Sequence, residues 1–119
     1  MTLDVSTTED DHLVLVSLAG EFDVYTVPAF RAELERVGHF SRPIIVDLSG
    51  VTLLDSSGIG ALVGLLNQAR SDGGKVGVIC PHRPLRRVFE ITGLRNAFIF
   101  GDDLAAVRAA LDSDSPPQT

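Results

Sequence analysis

Ile44-Ile45-Val46-Asp47-Leu48-Ser49-Gly50-Val51-Thr52-Leu53-Leu54-Asp55-Ser56-Ser57-Gly58-Ile59-Gly60 is the stretch on which the fold turns. The apolar run from Pro43 to Leu48 has little alternation, which predicts a central strand covered on both faces. A short loop follows, and then a helix that opens with two serines and a glycine. Its apolar residues Ile59, Leu62, Val63, Leu66 and Ala69 recur at helical spacing, and Asp72-Gly73-Gly74 stops it. The first turn of a helix leaves backbone N–H groups unpaired and carries roughly half a positive charge. A serine hydroxyl there can cap the helix, and a phosphate on it would meet ready-made donors.

Working outward, Leu3–Ser6 and Leu13–Leu18 predict two strands of a hairpin, turned by Thr8-Glu9-Asp10-Asp11. Ala19-Gly20-Glu21-Phe22-Asp23 leads into a helix with Val27, Phe30, Leu34 and Val37 on one face. Thr26 is placed to cap it, Pro28 fits its first turn, and Gly38 ends it. Lys75–Cys80 is the next strand, and Pro84–Thr92 a shorter helix closed by Gly93. Phe98-Ile99-Phe100 is a short extended segment, and Asp102 or Asp103 caps a last helix carrying Leu104, Val107 and Leu111. Strand–helix–strand units favour right-handed parallel crossovers, so the order predicts a mixed α/β sheet of four to five strands with about four helices packed on it. Residues 1–112 make one domain, and the polar tail 113–119 has nothing apolar to anchor it and is expected to be disordered. In such sheets functional sites gather beyond the carboxyl ends of the strands, where the Asp55–Ser57 turn lies.

Composition narrows the function classes. The formal charge of −6 argues against a nucleic-acid backbone as the main partner. The basic cluster His82, Arg83, Arg86, Arg87 and Arg95 reads as a solvated helix face, or else as a docking surface for an acidic protein patch. The lone Cys80 allows neither an internal disulfide nor a cysteine cluster for a metal, and its place suggests a buried strand end. No apolar segment approaches the ~20 residues of a membrane span, and no secretory leader is visible, so a cytoplasmic location is expected.

Catalytic readings find little support. No glycine stands two positions before either serine, as a nucleophile elbow requires. His12, His39 and His82 lack a partner pattern, and Gly58-x-Gly60 continues into Ala-Leu-Val rather than a phosphate cradle. Asp23, Asp47 and Asp55 have no spacing that points to a metal. Neither catalytic residues nor a cofactor or metal are expected. Asp55-Ser56-Ser57-Gly58 can be a plain helix cap, but Gly58 and Gly60 cost roughly 1 kcal/mol each relative to alanine in a helix. Tight packing on the strand layer would offset that, or another protein's backbone coming close.

Four segments in order carry a resemblance: Gly20-Glu21-Phe22-Asp23, Val46-Asp47-Leu48-Ser49-Gly50-Val51, Asp55-Ser56-Ser57-Gly58-Ile59-Gly60 and Phe89-Glu90-Ile91-Thr92-Gly93-Leu94. Together they resemble STAS-domain anti-sigma factor antagonists, over about Leu3 to Leu111. The resemblance implies a STAS fold and a partner switch. The unmodified antagonist binds an anti-sigma factor that is also a serine kinase and so frees a sigma factor. Phosphorylation of the antagonist by that kinase separates the pair, and a PP2C-type phosphatase restores the binding form. By motif position the acceptor is Ser57, with Asp23 beside it, and Asp23, Asp55, Ser56, Gly58, Ile59 and Gly60 form the partner-binding set. No membrane or nucleic acid is implied, and the free protein is expected to be a monomer. The alternative from a different class is a non-switching STAS subunit of a signalling scaffold or of a lipid-transporter complex.

Overall fold

The computed structural model describes residues 2–113, so positions 114–119 of the expected tail lie outside it, while Ser113 closes the last helix. The order is β1 (Leu3–Glu9), β2 (Val14–Phe22), α1 (Val27–Val37), β3 (Ile44–Leu54), α2 (Ser56–Ser71), β4 (Val76–Ile79), α3 (Arg83–Ile91), β5 (Ile99–Gly101) and α4 (Leu104–Ser113). The five strands form one sheet in the spatial order β1-β2-β3-β4-β5. The β1–β2 hairpin is antiparallel and every other pair is parallel, as the strand–helix–strand units require.

The two faces of the sheet bury different layers. Val14, Val16, Ile44, Val46, Leu48, Val76 and Val78 point to the face covered by α1, α2 and α3, where Phe30, Leu62, Leu65 and Phe89 complete the main core. Ile45 and Ile79 point the other way and meet Val107 and Leu111 of α4. A central strand clothed on both faces loses its alternation, which is why Ile44-Ile45-Val46 reads as a continuous apolar run.

Three boundaries differ from expectation, all for the same reason. β1 runs on through Thr8 and Glu9, which pair with Leu15 and Val14, so the turn tightens to residues 10–13. There the Asp10 carboxylate accepts the N–H groups of His12 and Leu13. β2 continues through Gly-Glu-Phe to Phe22, and β3 continues through the segment expected to be a loop as far as Leu54. The late part of β3 is held by β2: Ala19 pairs with Gly50, Gly20 with Val51, Glu21 with Leu53 and Phe22 with Leu54. Two register shifts, between Ser17 and Ala19 and between Gly20 and Glu21, each take up one extra residue on β3. Such bulges break the period of two, so no alternation announces the strand.

Helix ends follow the sequence more closely. Gly38, Gly73 and Gly93 take positive φ just beyond α1, α2 and α3. Asp103, rather than Asp102, caps α4, accepting from the Ala106 N–H at 2.8 Å. Thr26 does stand at the start of α1, but its hydroxyl does not bond a helix N–H. It accepts from the Asp23 N–H and donates to the Glu21 carbonyl, tying the end of β2 to the helix instead.

Candidate functional site

Because β2 and β3 are paired to their last residues, the 23–26 turn and the start of α2 leave the sheet side by side. The Asp55 N–H donates to the Phe22 carbonyl at 3.3 Å and completes this junction. Asp55 sits in extended backbone at the head of α2, and its Oδ1 accepts from the N–H groups of Ser57 at 2.9 Å and Gly58 at 3.1 Å. The helix is therefore capped by the aspartate and not by a serine hydroxyl. A carboxylate does this well because it also complements the positive end of the helix. It takes two of the donors that a phosphate would otherwise meet, and leaves the Ser57 side chain out of the capping.

Ser57 is half-buried and Ser56 and Gly60 are exposed, so this end of α2 presents a hydroxyl with low-relief surroundings. The other expected site residues lie behind that surface. Ile59 is 8% exposed and belongs to the core. Asp23 is 4% exposed, and its carboxylate accepts from the Tyr25 and Thr26 N–H groups at 2.9 and 3.1 Å. Its structural work is to hold the tight turn after β2, with its charge spread over donors that the turn supplies.

The two glycines separate cleanly. A Cβ at Gly58 would lie 2.8 Å from the Phe22 carbonyl oxygen and 2.8 Å from Leu54 Cδ1, so Gly58 is there to let α2 press against the end of the sheet. A Cβ at Gly60 would meet nothing within 4 Å, nor would one at Gly64, one turn further along. Nothing among the described residues asks for glycine at either place.

A further feature of the site leaves no mark in the local residue pattern. Val24 is 57% exposed, Tyr25 76% and Leu53 41%, and all three flank the junction between the 23–26 turn and α2. The lapse is one of periodicity. Leu53 falls after the second register shift, where counting faces from the sequence fails. Val24 and Tyr25 stand in a turn whose geometry depends on the buried Asp23.

Asp47 lies earlier on β3, where its carboxylate holds the Ser49 N–H and hydroxyl. Among the described residues no group of three or more His, Cys, Asp or Glu side chains could hold a metal ion. Cys80 is fully buried at the end of β4, and burial pushes its thiol above the usual range. Among the described residues no helix is long and apolar enough to cross a membrane.

Comparison with known proteins agrees with this geometry. The family profile of the STAS domain matches residues 4–107. An anti-sigma-B factor antagonist from Staphylococcus aureus strain NCTC 8325 is 35% identical over 97 residues, spanning 81% of this chain and 90% of that protein. The crystal structure of an anti-sigma factor antagonist from Mycobacterium paratuberculosis superposes with a TM-score of 0.78 at 26% identity, covering 94% of this chain and 96% of that one. The Bacillus cell fate determinant SpoIIAA in its phosphorylated form shares the fold, with a TM-score of 0.68 at 22% identity over 89% of this chain and 98% of that one. With a five-stranded mixed sheet, four helices and an aspartate-capped Ser-Ser-Gly helix start beside the Gly-Glu-Phe-Asp turn, the chain belongs to the STAS domain family, among its anti-sigma factor antagonists.

Proposed function

We propose that this chain, while unphosphorylated, binds an anti-sigma factor that is also a serine kinase and thereby releases a sigma factor. Phosphorylation of Ser57 by that kinase ends the binding, and a PP2C-type phosphatase resets the switch in the cytoplasm. The chain itself then needs no catalytic group, because ATP and Mg²⁺ belong to the kinase.

The observation that carries this reading is the Asp55 cap. It satisfies the Ser57 and Gly58 N–H groups and leaves the Ser57 hydroxyl uncommitted on a partly open surface. Exposed Val24, Tyr25 and Leu53 beside it supply apolar area for a partner, and Gly60 permits close approach. Ser56, Gly60 and the rim of Asp55 would make direct contacts. Asp23, Gly58 and Ile59 would act from behind, by shaping the turn and seating the helix.

A phosphoryl group adds ~−1.5 to −2 charges and three acceptor oxygens. At Ser57 it would stand next to the Asp55 carboxylate and inside a closely packed contact. A penalty of ~2–4 kcal/mol there weakens binding by on the order of 30- to 1,000-fold, enough to release a partner.

The test is mass spectrometry of the protein taken from its native cell, with identification of what co-elutes. The expected result is phosphate on Ser57, and a Ser57→Ala variant that stays bound to an anti-sigma factor carrying a kinase domain. Phosphate on Ser56 with none on Ser57 would overturn the residue assignment. Stable co-purification with scaffold or transporter subunits and no phosphate turnover would replace the switch with a fixed structural role.

A further inference from the structure

On the same face of the sheet as α1 and α2, but at its β5 edge, α3 and the 94–98 segment enclose a cleft of about 790 Å³. Its lining includes Arg83, Arg86, Arg87 and Arg95 against one carboxylate, Glu90. In a chain of net charge −6 this is a local reversal of sign. Arg86 is spoken for: it pairs with Asp102 at 2.9 Å and lies over the Phe100 ring at 5.7 Å. Arg83, Arg87 and Arg95 make no ion pair among the described residues.

Arg83 and Arg87 are four residues apart on a helix, where like charges repel, and the fold places no acid between them. The same stripe ends four residues later in Ile91, which is 76% exposed. Basic residues and a bare isoleucine on one helix face match the mixed chemistry of a protein surface. The overall negative charge works against long polyanions, and a phosphate-binding site has no use for the isoleucine.

We infer that the outer face of α3, with Arg95, is a docking surface for an acidic segment of a protein partner, one that sets an apolar side chain on Ile91 and carboxylates on Arg83, Arg87 and Arg95. The surface belongs to the strand edge beyond β4, apart from the Ser57 junction at the ends of β2 and β3. It does not depend on the phosphorylation reading.

The experiment uses the full chain and a fluorescein-labelled 12-residue peptide of aspartate and glutamate with two leucines, followed by anisotropy. Saturable binding is expected at 50 mM salt, weakened at 500 mM as exposed charges are screened. Arg87→Glu/Arg95→Glu should weaken it about tenfold or more, and Ile91→Ser severalfold, while Arg108→Glu on α4 and Ser57→Asp leave it unchanged. All these side chains but Ser57 are exposed, so the variants fold, and circular dichroism checks that they do. The inference is overturned by absence of saturable binding, or by an equal loss in Arg108→Glu. It is equally overturned if binding is indifferent to Ile91→Ser and inorganic polyphosphate competes as well as the peptide, which would make the cleft a general anion site.

Discussion

A single methyl group added at Gly58 and at Gly60 should change stability in opposite directions, although the two positions are separated by one residue of the same helix. Both substitutions to alanine remove a glycine from α2 and gain ~1 kcal/mol of helix propensity. At Gly60 the new Cβ meets nothing within 4 Å, so the gain stands undiminished. At Gly58 it would lie 2.8 Å from the Phe22 carbonyl oxygen and 3.1 Å from Phe22 Cγ. That carbonyl belongs to a strand end and cannot swing away like a flexible side chain, so the helix must shift. Overpacking of this kind costs ~1–3 kcal/mol, leaving a net loss of up to about 2 kcal/mol.

With an unfolding entropy of ~2.1 cal/mol/K per residue over 119 residues, 1 kcal/mol moves the melting temperature by roughly 4 °C. Gly60→Ala should therefore melt about 4 °C higher than the parent protein and Gly58→Ala up to about 8 °C lower, by calorimetry at neutral pH. If both variants melt higher, the close approach of α2 to Phe22 does not limit the structure. If Gly60→Ala melts lower, the open space around Gly60 is not what sets its effect on stability. The functional corollary is that Gly60→Ala, though more stable, should bind the anti-sigma partner more weakly than the parent.

Further outcomes follow from the same junction. Asp55→Ala should destabilise the protein by about 0.5–2 kcal/mol in urea unfolding, since two capping bonds go, while Asp55→Asn keeps an acceptor oxygen and should lose less. Asp23→Ala removes the carboxylate that accepts from the Tyr25 and Thr26 N–H groups, the Thr26 N–H keeping its bond to the Asp23 carbonyl, and should cost about 0.5–1.5 kcal/mol; a change below a few tenths would refute the turn-holding role. Burial raises the Cys80 thiol, so iodoacetamide should label it slowly in the native state at pH 8 and quickly in urea. Because the folded thiol binds its proton more tightly than the unfolded one, this group's share of stability is full below the unfolded pKa and is lost as pH rises through the higher folded value. A urea midpoint that does not fall as pH is raised through the alkaline range in the parent, relative to Cys80→Ala, would count against it.

Much of this molecule is legible in its amino-acid sequence where one local rule governs. The helical spacing of Val27, Phe30 and Leu34, the glycines beyond three helices and the unbroken apolar run at Ile44 each follow from short-range geometry, and the structure places them as expected. The reading fails where two segments distant in sequence must agree. Residues Ser49–Leu54 look like a loop because two extra residues on β3 break the alternation, and only pairing with β2 makes them strand. Thr26 has the residue type of a helix cap, yet its buried hydroxyl is spent, together with the buried Asp23 carboxylate, on holding the turn after β2.

The amino-acid order alone determined the architecture and the motif at the head of α2, because capping preferences and apolar periodicity act within a few residues. What the three-dimensional structure decided is which atoms of that motif remain available. Long-range pairing of β2 with β3 brings Phe22 against Gly58, turns Ile59 and Asp23 inward, and leaves Val24, Tyr25, Leu53 and Gly60 outside with Ser57 at their edge. Exposure depends on what the rest of the chain packs against, and no local window of sequence contains that information.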